Sequence, residues 1–201
     1  MVTKPLEEYR PTWTASGLAH IDFHKIFISL GKPFFLAVDL DHVITKPLGW
    51  NITWAGIFNI REAGNRGWIA GAGIISNAGI WPLSRRVGII ADQCNLPCHA
   101  CVWPYWLKPD EEAFLELFRH FHGFKRPDIE RTVVIGDQLG TDILGANQIG
   151  AKSIYVDKRG DVPWYKRAKF RKELIIRQKL GLRFPEPSTP WYLHPDALSG
   201  T

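Results

Sequence analysis

Short apolar runs and helical stripes take turns along the chain. Residues 34–38 (FFLAV) form a continuous aromatic and β-branched run, bounded by Gly31 and Pro33 before it and acids after it, and predict a buried strand. Residues 53–64 have the mixed polarity of a helix, and residues 68–75 (WIAGAGII) predict a second buried strand. After Pro82, the residues Leu83, Val87, Ile90 and Ala91 recur at helical spacing until Asn95 and Pro97 close the segment. Residues 98–102 predict a short third strand. Pro109, Asp110, Glu111 and Glu112 then open the clearest helix of the chain, with Ala113, Phe114, Leu117, Phe118 and Phe121 on one face and Gly123 as its stop. Residues 132–135 (TVVI) give a fourth strand, 141–149 a short helix and 153–156 a fifth strand.

Five apolar strands separated by helices imply an α/β fold, a Rossmann-like parallel sheet with helices on both faces. Residues 1–160 form the body on this reading, 161–183 a basic C-terminal helix and 184–201 a weakly ordered tail. Side chains that do chemistry in such a sheet collect beyond the carboxyl ends of the strands. Asp39 and Asp41 follow the first strand, Ser76 and Asn77 the second, Lys108 the third, and Asp137 the fourth, with Asp142 five residues further on. One rim therefore collects acids, a lysine, a hydroxyl and an amide.

Composition narrows the partners. A chain of 201 residues with 45% hydrophobic content can bury the core of one domain. No run reaches the roughly 18 apolar residues of a spanning helix, and the N-terminus lacks the apolar core of a secretory signal. Cys94, Cys98 and Cys101 are an odd set that suits a reducing, intracellular compartment, cytoplasm or organelle matrix. Alternation along the third strand sends these thiols to opposite faces, which disfavours a zinc site. The net charge is +5, but residues 158–183 alone carry +8 and the remainder −3. Such a concentrated cationic stretch points to an anionic surface, either phospholipid head groups or nucleic acid. Residues 164–182 mix those cations with aromatic and aliphatic residues as an interfacial helix does, although the apolar positions wrap a wide arc, so that part of the helix packs on the body.

Acids from two strand ends cannot all stay ionised without a cation, and hard oxygen ligands favour Mg²⁺. A lysine and a small hydroxyl beside such an ion suit a phosphoryl group, where catalysis is mostly positioning and charge neutralisation, and a carboxylate can itself be the nucleophile. Only 34 residues lie between Asp41 and Ser76, and 31 between Ser76 and Lys108, which leaves no room for an inserted lid. The site is expected to be open, and a lipid or macromolecular phosphate suits an open rim better than a small free sugar phosphate. Trp103, Tyr105 and Trp106 precede Lys108, where they line the mouth, dip into lipid or bury in the core.

The stretches "DLDHVIT", "ISN", "LKP" and "GDQLGTD" resemble the four ordered motifs of haloacid-dehalogenase-type (HAD) phosphatases. "VVIGDQLGTDILGANQIGAKSIYV" with the basic stretch after it is similar to the YqeG-type subgroup, related to the phosphatidylglycerophosphatases of bacteria, fungal mitochondria and plastids. The resemblance implies a capless HAD fold in which Asp39 is the nucleophile and Asp41 the acid and base. It further implies Mg²⁺ on the Asp39 carboxylate, the Asp41 backbone carbonyl and Asp137, with Asp142 as a ligand or in support. Ser76 then binds a phosphoryl oxygen, Lys108 neutralises nucleophile and phosphate, and Asn77 shapes the pocket. One departure is that His42 and Val43 stand where members commonly carry Asn-Thr. The function so implied is a peripherally membrane-bound, Mg²⁺-dependent phosphomonoesterase with phosphatidylglycerophosphate as substrate, held on anionic membrane through residues 158–183. The rivals are a phosphatase of a soluble sugar, nucleotide or protein phosphate, and a catalytically idle fold that binds nucleic acid through its basic tail, a partner that the resemblance disfavours.

Overall fold

Burial along the strands follows the two-residue period of a sheet covered on both sides. Within β2 (Phe34–Val38) every residue is buried; Leu36 and Val38 join one apolar cluster, and Ala37 joins another on the opposite face. The structure is a computed structural model that describes residues 4–79, 81–102, 106–122, 128–157 and 167–185. The remaining strands are β1 (Trp13–Ala15), β3 (Ile69–Gly79), β4 (Cys98–Val102), β5 (Thr132–Gly136) and β6 (Lys152–Val156). All pair in parallel, in the order β1-β6-β5-β2-β3-β4.

Helices α1 (Phe23–Leu30), α2 (Trp54–Asn65) and α3 (Trp81–Cys94) cover one face through Phe23, Ile26, Ile57, Ile60, Val87 and Ile90. Helices α4 (Glu111–His122) and α5 (Leu144–Ile149) cover the other through Phe114, Leu117, Phe118 and Ile149. Asp22 caps α1 by accepting from the Lys25 N–H at 3.1 Å, and Gly31 ends it in the left-handed conformation (φ 70°) that a side chain disfavours. Among the described residues each connection from β2 to β4 holds a single helix, with no cover domain inserted in it. Among the described residues no helix is long and apolar enough to cross a membrane.

Three sequence expectations change. The sheet has six strands instead of five, because the short β1 pairs with β6 in the register Trp13↔Ile154, Thr14↔Tyr155, Ala15↔Val156. The second predicted strand runs on to Gly79, so Ser76 and Asn77 are strand residues, opposite Ala100 and Cys101 of β4. The helix predicted at 141–149 begins with a five-residue π-turn, Leu139–Ile143. Residues 158–166 and 186–201 of the expected basic stretch and tail, along with Trp103, Tyr105 and Gly123, lie outside the described residues.

Helix α6 (Arg167–Lys179) buries one face on the body: Ile176 and Leu180 pack with Tyr9, Leu139, Ile143, Leu144 and Tyr155. Glu173 is buried there too. One of its oxygens, Oε1, accepts from the Tyr155 hydroxyl and from the Leu139 N–H, both at 3.0 Å. Burial and the facing Glu173 carboxylate together push the Tyr155 hydroxyl pKa well above its ordinary value, so it stays a donor. Arg177 lies 4.1 Å over the Phe184 ring and 3.3 Å from Asp157. Replacing Glu173 by Ala strands two buried donors, and chemical denaturation should register a loss of about 2–3 kcal/mol. A loss under about 0.5 kcal/mol, the range of ordinary surface substitutions, would mean that α6 is not anchored this way.

Candidate active site

β2 and β5 lie side by side in the middle of the sheet, and the chain leaves them in opposite directions, β2 toward β3 and β5 toward β6. A crevice at such a switch point is where doubly wound sheets hold ligands. The Asp39 N–H donates to the Ile135 carbonyl at 2.8 Å, which fixes the first acid beside the end of β5. Asp137 follows β5 directly. The π-turn then returns Asp142 to the same point: the N–H groups of Asp142 and Ile143 both donate to the Gln138 carbonyl, at 3.0 and 3.3 Å, while the Gln138 N–H donates to Asp142 Oδ2 at 3.1 Å. A Cβ on Gly136 would overlap the Asp142 side chain, so only glycine permits this approach.

Lys108 reaches the cluster from the segment after β4. Its Nζ donates to Asp39 Oδ1 at 2.6 Å, to Asp142 Oδ1 at 2.5 Å and to the Ile75 carbonyl at 3.3 Å, an acceptor for each of its three protons. Asn77 fixes the Lys108 backbone from both sides, its Nδ2 donating to the Lys108 carbonyl at 3.1 Å and its Oδ1 accepting from the Lys108 N–H at 2.8 Å. The Lys108–Pro109 peptide is cis, and Pro109 lies against Gly145 of α5, where a Cβ would run into Phe114.

Three carboxylates and one ammonium meet in this cluster. Asp39, Asp137 and Asp142 are all buried, with one oxygen of each within 4.8 Å of the others, and the single ammonium of Lys108 faces them. The Asp39 carboxyl is pushed up to about 7, chiefly by burial, with Lys108 opposing the rise and the Asp142 and Asp41 charges adding to it. Burial alone would lower the Lys108 pKa, but Asp142 and Asp39 outweigh it and raise the pKa above the ordinary lysine value. Three buried carboxylates with an oxygen each within 4.8 Å of the others form an all-oxygen donor set that fits a hard divalent cation such as Mg²⁺.

Asp41 stands apart from that triad. Its Oδ1 accepts from Arg86 at 2.9 Å and from the Leu48 N–H at 3.0 Å. Arg86 is 4% exposed and also donates to Thr45 Oγ1 at 2.8 Å and to the Gly49 carbonyl at 2.6 Å, so one guanidinium from α3 braces the whole loop that follows Asp41. His42 adopts a left-handed φ of 65° and is buried, and Val43 belongs to the apolar core. The two residues that depart from the usual pattern thus sit beneath the loop and leave Asp39 and Asp41 at its edge.

Asp39, Asp41, Ser76, Asn77, Lys108, Gln138 and Thr141 line a cavity of about 190 Å³. The structure therefore gathers Asp39, Lys108, Asp137 and Asp142 into one buried cluster and sets Ser76, Asn77 and Asp41 around the opening. Arg86, Gln138 and Thr141 escaped the sequence reading. A cation within the apolar stripe Leu83, Val87, Ile90 was the available signal for Arg86.

Residues 106–176 match a family model described as HAD-hydrolase-like, a stretch that contains Lys108, Asp137 and Asp142. No curated protein matches the chain significantly. Solved structures similar to the chain include an uncharacterized protein from Listeria monocytogenes serotype 4b, 15% identical, with 73% of this chain and 99% of that one covered and a TM-score of 0.48. A HAD phosphatase from Thermococcus onnurineus is 16% identical, with 61% of this chain and 59% of that one covered and a TM-score of 0.41. A p-nitrophenyl phosphatase from Archaeoglobus fulgidus is 17% identical, with 81% and 67% covered and a TM-score of 0.25.

A cation that binds only the folded chain stabilises it by mass action, so saturating Mg²⁺ should raise the thermal midpoint by roughly 2–8 °C. Asp137→Asn should abolish that shift. An equal shift in the variant, or none in the wild-type chain, contradicts the assignment of the cation to this triad.

Proposed function

We propose that the chain is a HAD-type phosphomonoesterase working through an aspartyl-phosphate. The observation that carries this is the buried Lys108 ammonium held between Asp39 and Asp142 at the floor of a polar cavity. In this reading Asp39 attacks the phosphorus of a monoester and the bond to the ester oxygen breaks, while Asp41 donates its proton to that departing oxygen. Asp41 then takes a proton from water, the water oxygen bonds to phosphorus, and the bond to Asp39 breaks to release inorganic phosphate. Lys108 and Ser76 face the phosphoryl oxygens, and Mg²⁺, which Asp39, Asp137, the Asp41 backbone carbonyl and Asp142 would hold, would supply further positive charge to them. Arg86 and the Leu48 N–H both act on Oδ1 of Asp41, which leaves Oδ2 as the oxygen that carries the proton. The match of residues 106–176 to the HAD-hydrolase-like model supports the same reading.

The proposed substrate is phosphatidylglycerophosphate, in keeping with the YqeG-type pattern and a peripheral place on an anionic membrane. The short connections from β2 to β4 support it, since among the described residues they insert no cover domain to exclude water from a small ligand. The exposed cations Arg171, Lys172 and Lys179 of α6 are compatible with that surface.

Three variants and one substrate comparison test the proposal. Asp39→Asn should reduce hydrolysis of an aryl phosphate to background. Asp41→Asn should slow turnover of an alkyl phosphate by about 10²–10⁴-fold, the range of general acid–base catalysis, and Arg86→Met by a smaller factor because it only positions Asp41. Wild-type activity in Asp39→Asn rejects the phosphatase. Faster release of phosphate from soluble sugar, nucleotide or protein phosphates than from phosphatidylglycerophosphate in mixed micelles rejects the lipid substrate and leaves the chemistry standing.

A further inference from the structure

The exposed tryptophans are not scattered. Among the described residues Trp13 and Trp68 are partly buried against the core, one in β1 and the other just before β3. Trp50, Trp54, Trp81 and Trp106 are 44–69% exposed, and all four belong to segments that leave the carboxyl ends of strands. Trp50 and Trp54 lie between β2 and the first turn of α2, Trp81 opens α3 after β3, and Trp106 follows β4 two residues before Lys108. Leu48, 46% exposed, joins them and donates its N–H to Asp41 Oδ1. The carbonyl that precedes Trp50 is the Gly49 acceptor of Arg86. Among the described residues the strongly exposed indoles thus all lie in segments that leave the carboxyl ends of strands, Trp50 next to Gly49 and Trp106 two residues before Lys108.

Large apolar rings left in water forgo the stabilisation that burial would give, so a cluster of them around one opening marks a surface that something covers. Indole combines an apolar body with an N–H donor and favours the boundary between hydrocarbon and water. The charge of the rim selects among bilayers. Residues 46–61 and 81–91 contain no acid, and their exposed cations include Lys46 and Arg85. The acids that follow Trp106, Asp110 and Glu111, lead into α4, which packs on the opposite face of the sheet from α2 and α3. The exposed indoles and the cations Lys46 and Arg85 of these segments complement the anionic headgroup layer of a phospholipid bilayer.

We propose that the rim carrying Leu48, Trp50, Trp54, Trp81 and Trp106 docks onto an anionic phospholipid bilayer, with the cavity opening directly into the headgroup layer. The bilayer then serves as a cover over the cavity. This rests on the phosphatase reading only in taking the cavity as the place where a headgroup phosphate enters; docking itself requires no turnover. It also moves the main membrane contact from the basic helix to the catalytic face.

The full chain is tested by flotation with vesicles of equal parts phosphatidylglycerol and phosphatidylcholine, with vesicles of phosphatidylcholine alone, and by quenching of tryptophan emission with brominated lipid. Wild type should float with the anionic vesicles and be quenched. Trp50→Ala with Trp81→Ala should weaken partition by about tenfold or more, as expected for two withdrawn indoles, at an unchanged thermal midpoint. Lys172→Gln with Lys179→Gln, on the exposed side of α6, should change it by less than about threefold, since each removes one screened surface charge. No binding to anionic vesicles, equal binding by the tryptophan variant, or loss confined to the α6 variant overturns the proposal; the first outcome would point to a protein as the occupant. Aryl-phosphate hydrolysis by the wild-type chain, scored separately, reports on the chemistry of the site and not on docking.

Discussion

A lysine ammonium buried among carboxylates organises the carboxyl-terminal rim of this protein. Lys108 is 5% exposed, and taking its charge out of water is costly unless acceptors meet it. Asp39 from the end of β2, Asp142 from the turn after β5 and the Ile75 carbonyl from within β3 meet it together, so three strands must end in register for one ion pair to close. Asp137 lies beside that contact, with one of its oxygens within 4.8 Å of oxygens of Asp39 and Asp142. The three carboxylates so gathered form an all-oxygen donor set that suits a divalent cation.

The surrounding structure holds that contact by short, local devices. Gly136 has no side chain, which lets Asp142 lie against the end of β5, and Gly145 gives Pro109 room beside Phe114. Asn77 spends its amide on the Lys108 backbone, so it acts on the site by holding the lysine as well as by lining the cavity. Arg86 does for Asp41 what Asn77 does for Lys108, and it is the link between α3 and the loop that carries the exposed Leu48 and Trp50. Glu173 ties α6 to Leu139 in the π-turn two residues past Asp137, so the basic helix is mechanically continuous with the acidic cluster.

The central strands were readable because they are buried on both faces, which leaves an uninterrupted apolar signature; Phe34–Val38 and Thr132–Gly136 are entirely buried. Asp39, Asp137, Asp142 and Lys108 were readable because such groups at strand ends have few other reasons to recur in that order. β1 was not, since three half-covered residues gain their structure only from pairing with β6, some 140 positions away. The π-turn was hidden for a related reason: its pitch is set by the reach of Asp142 back to the Gln138 N–H, not by propensity. In α6 the decisive residue was a lone acid among cations, whose partners Tyr155 and Leu139 lie on other elements. Periodicity tells which face of a helix is apolar, but a buried ion or a long-range hydrogen bond depends on what the fold brings opposite.

Trapping the covalent intermediate is the most direct measurement. Asp41→Asn, incubated with a radiolabelled aryl phosphate whose leaving group needs no proton and then quenched in acid, should carry an acid-stable, hydroxylamine-labile phosphoryl group on the peptide containing Asp39. No label on that peptide while phosphate is released, or label on a different residue, would contradict phosphoryl transfer through the carboxylate that Lys108 holds in place.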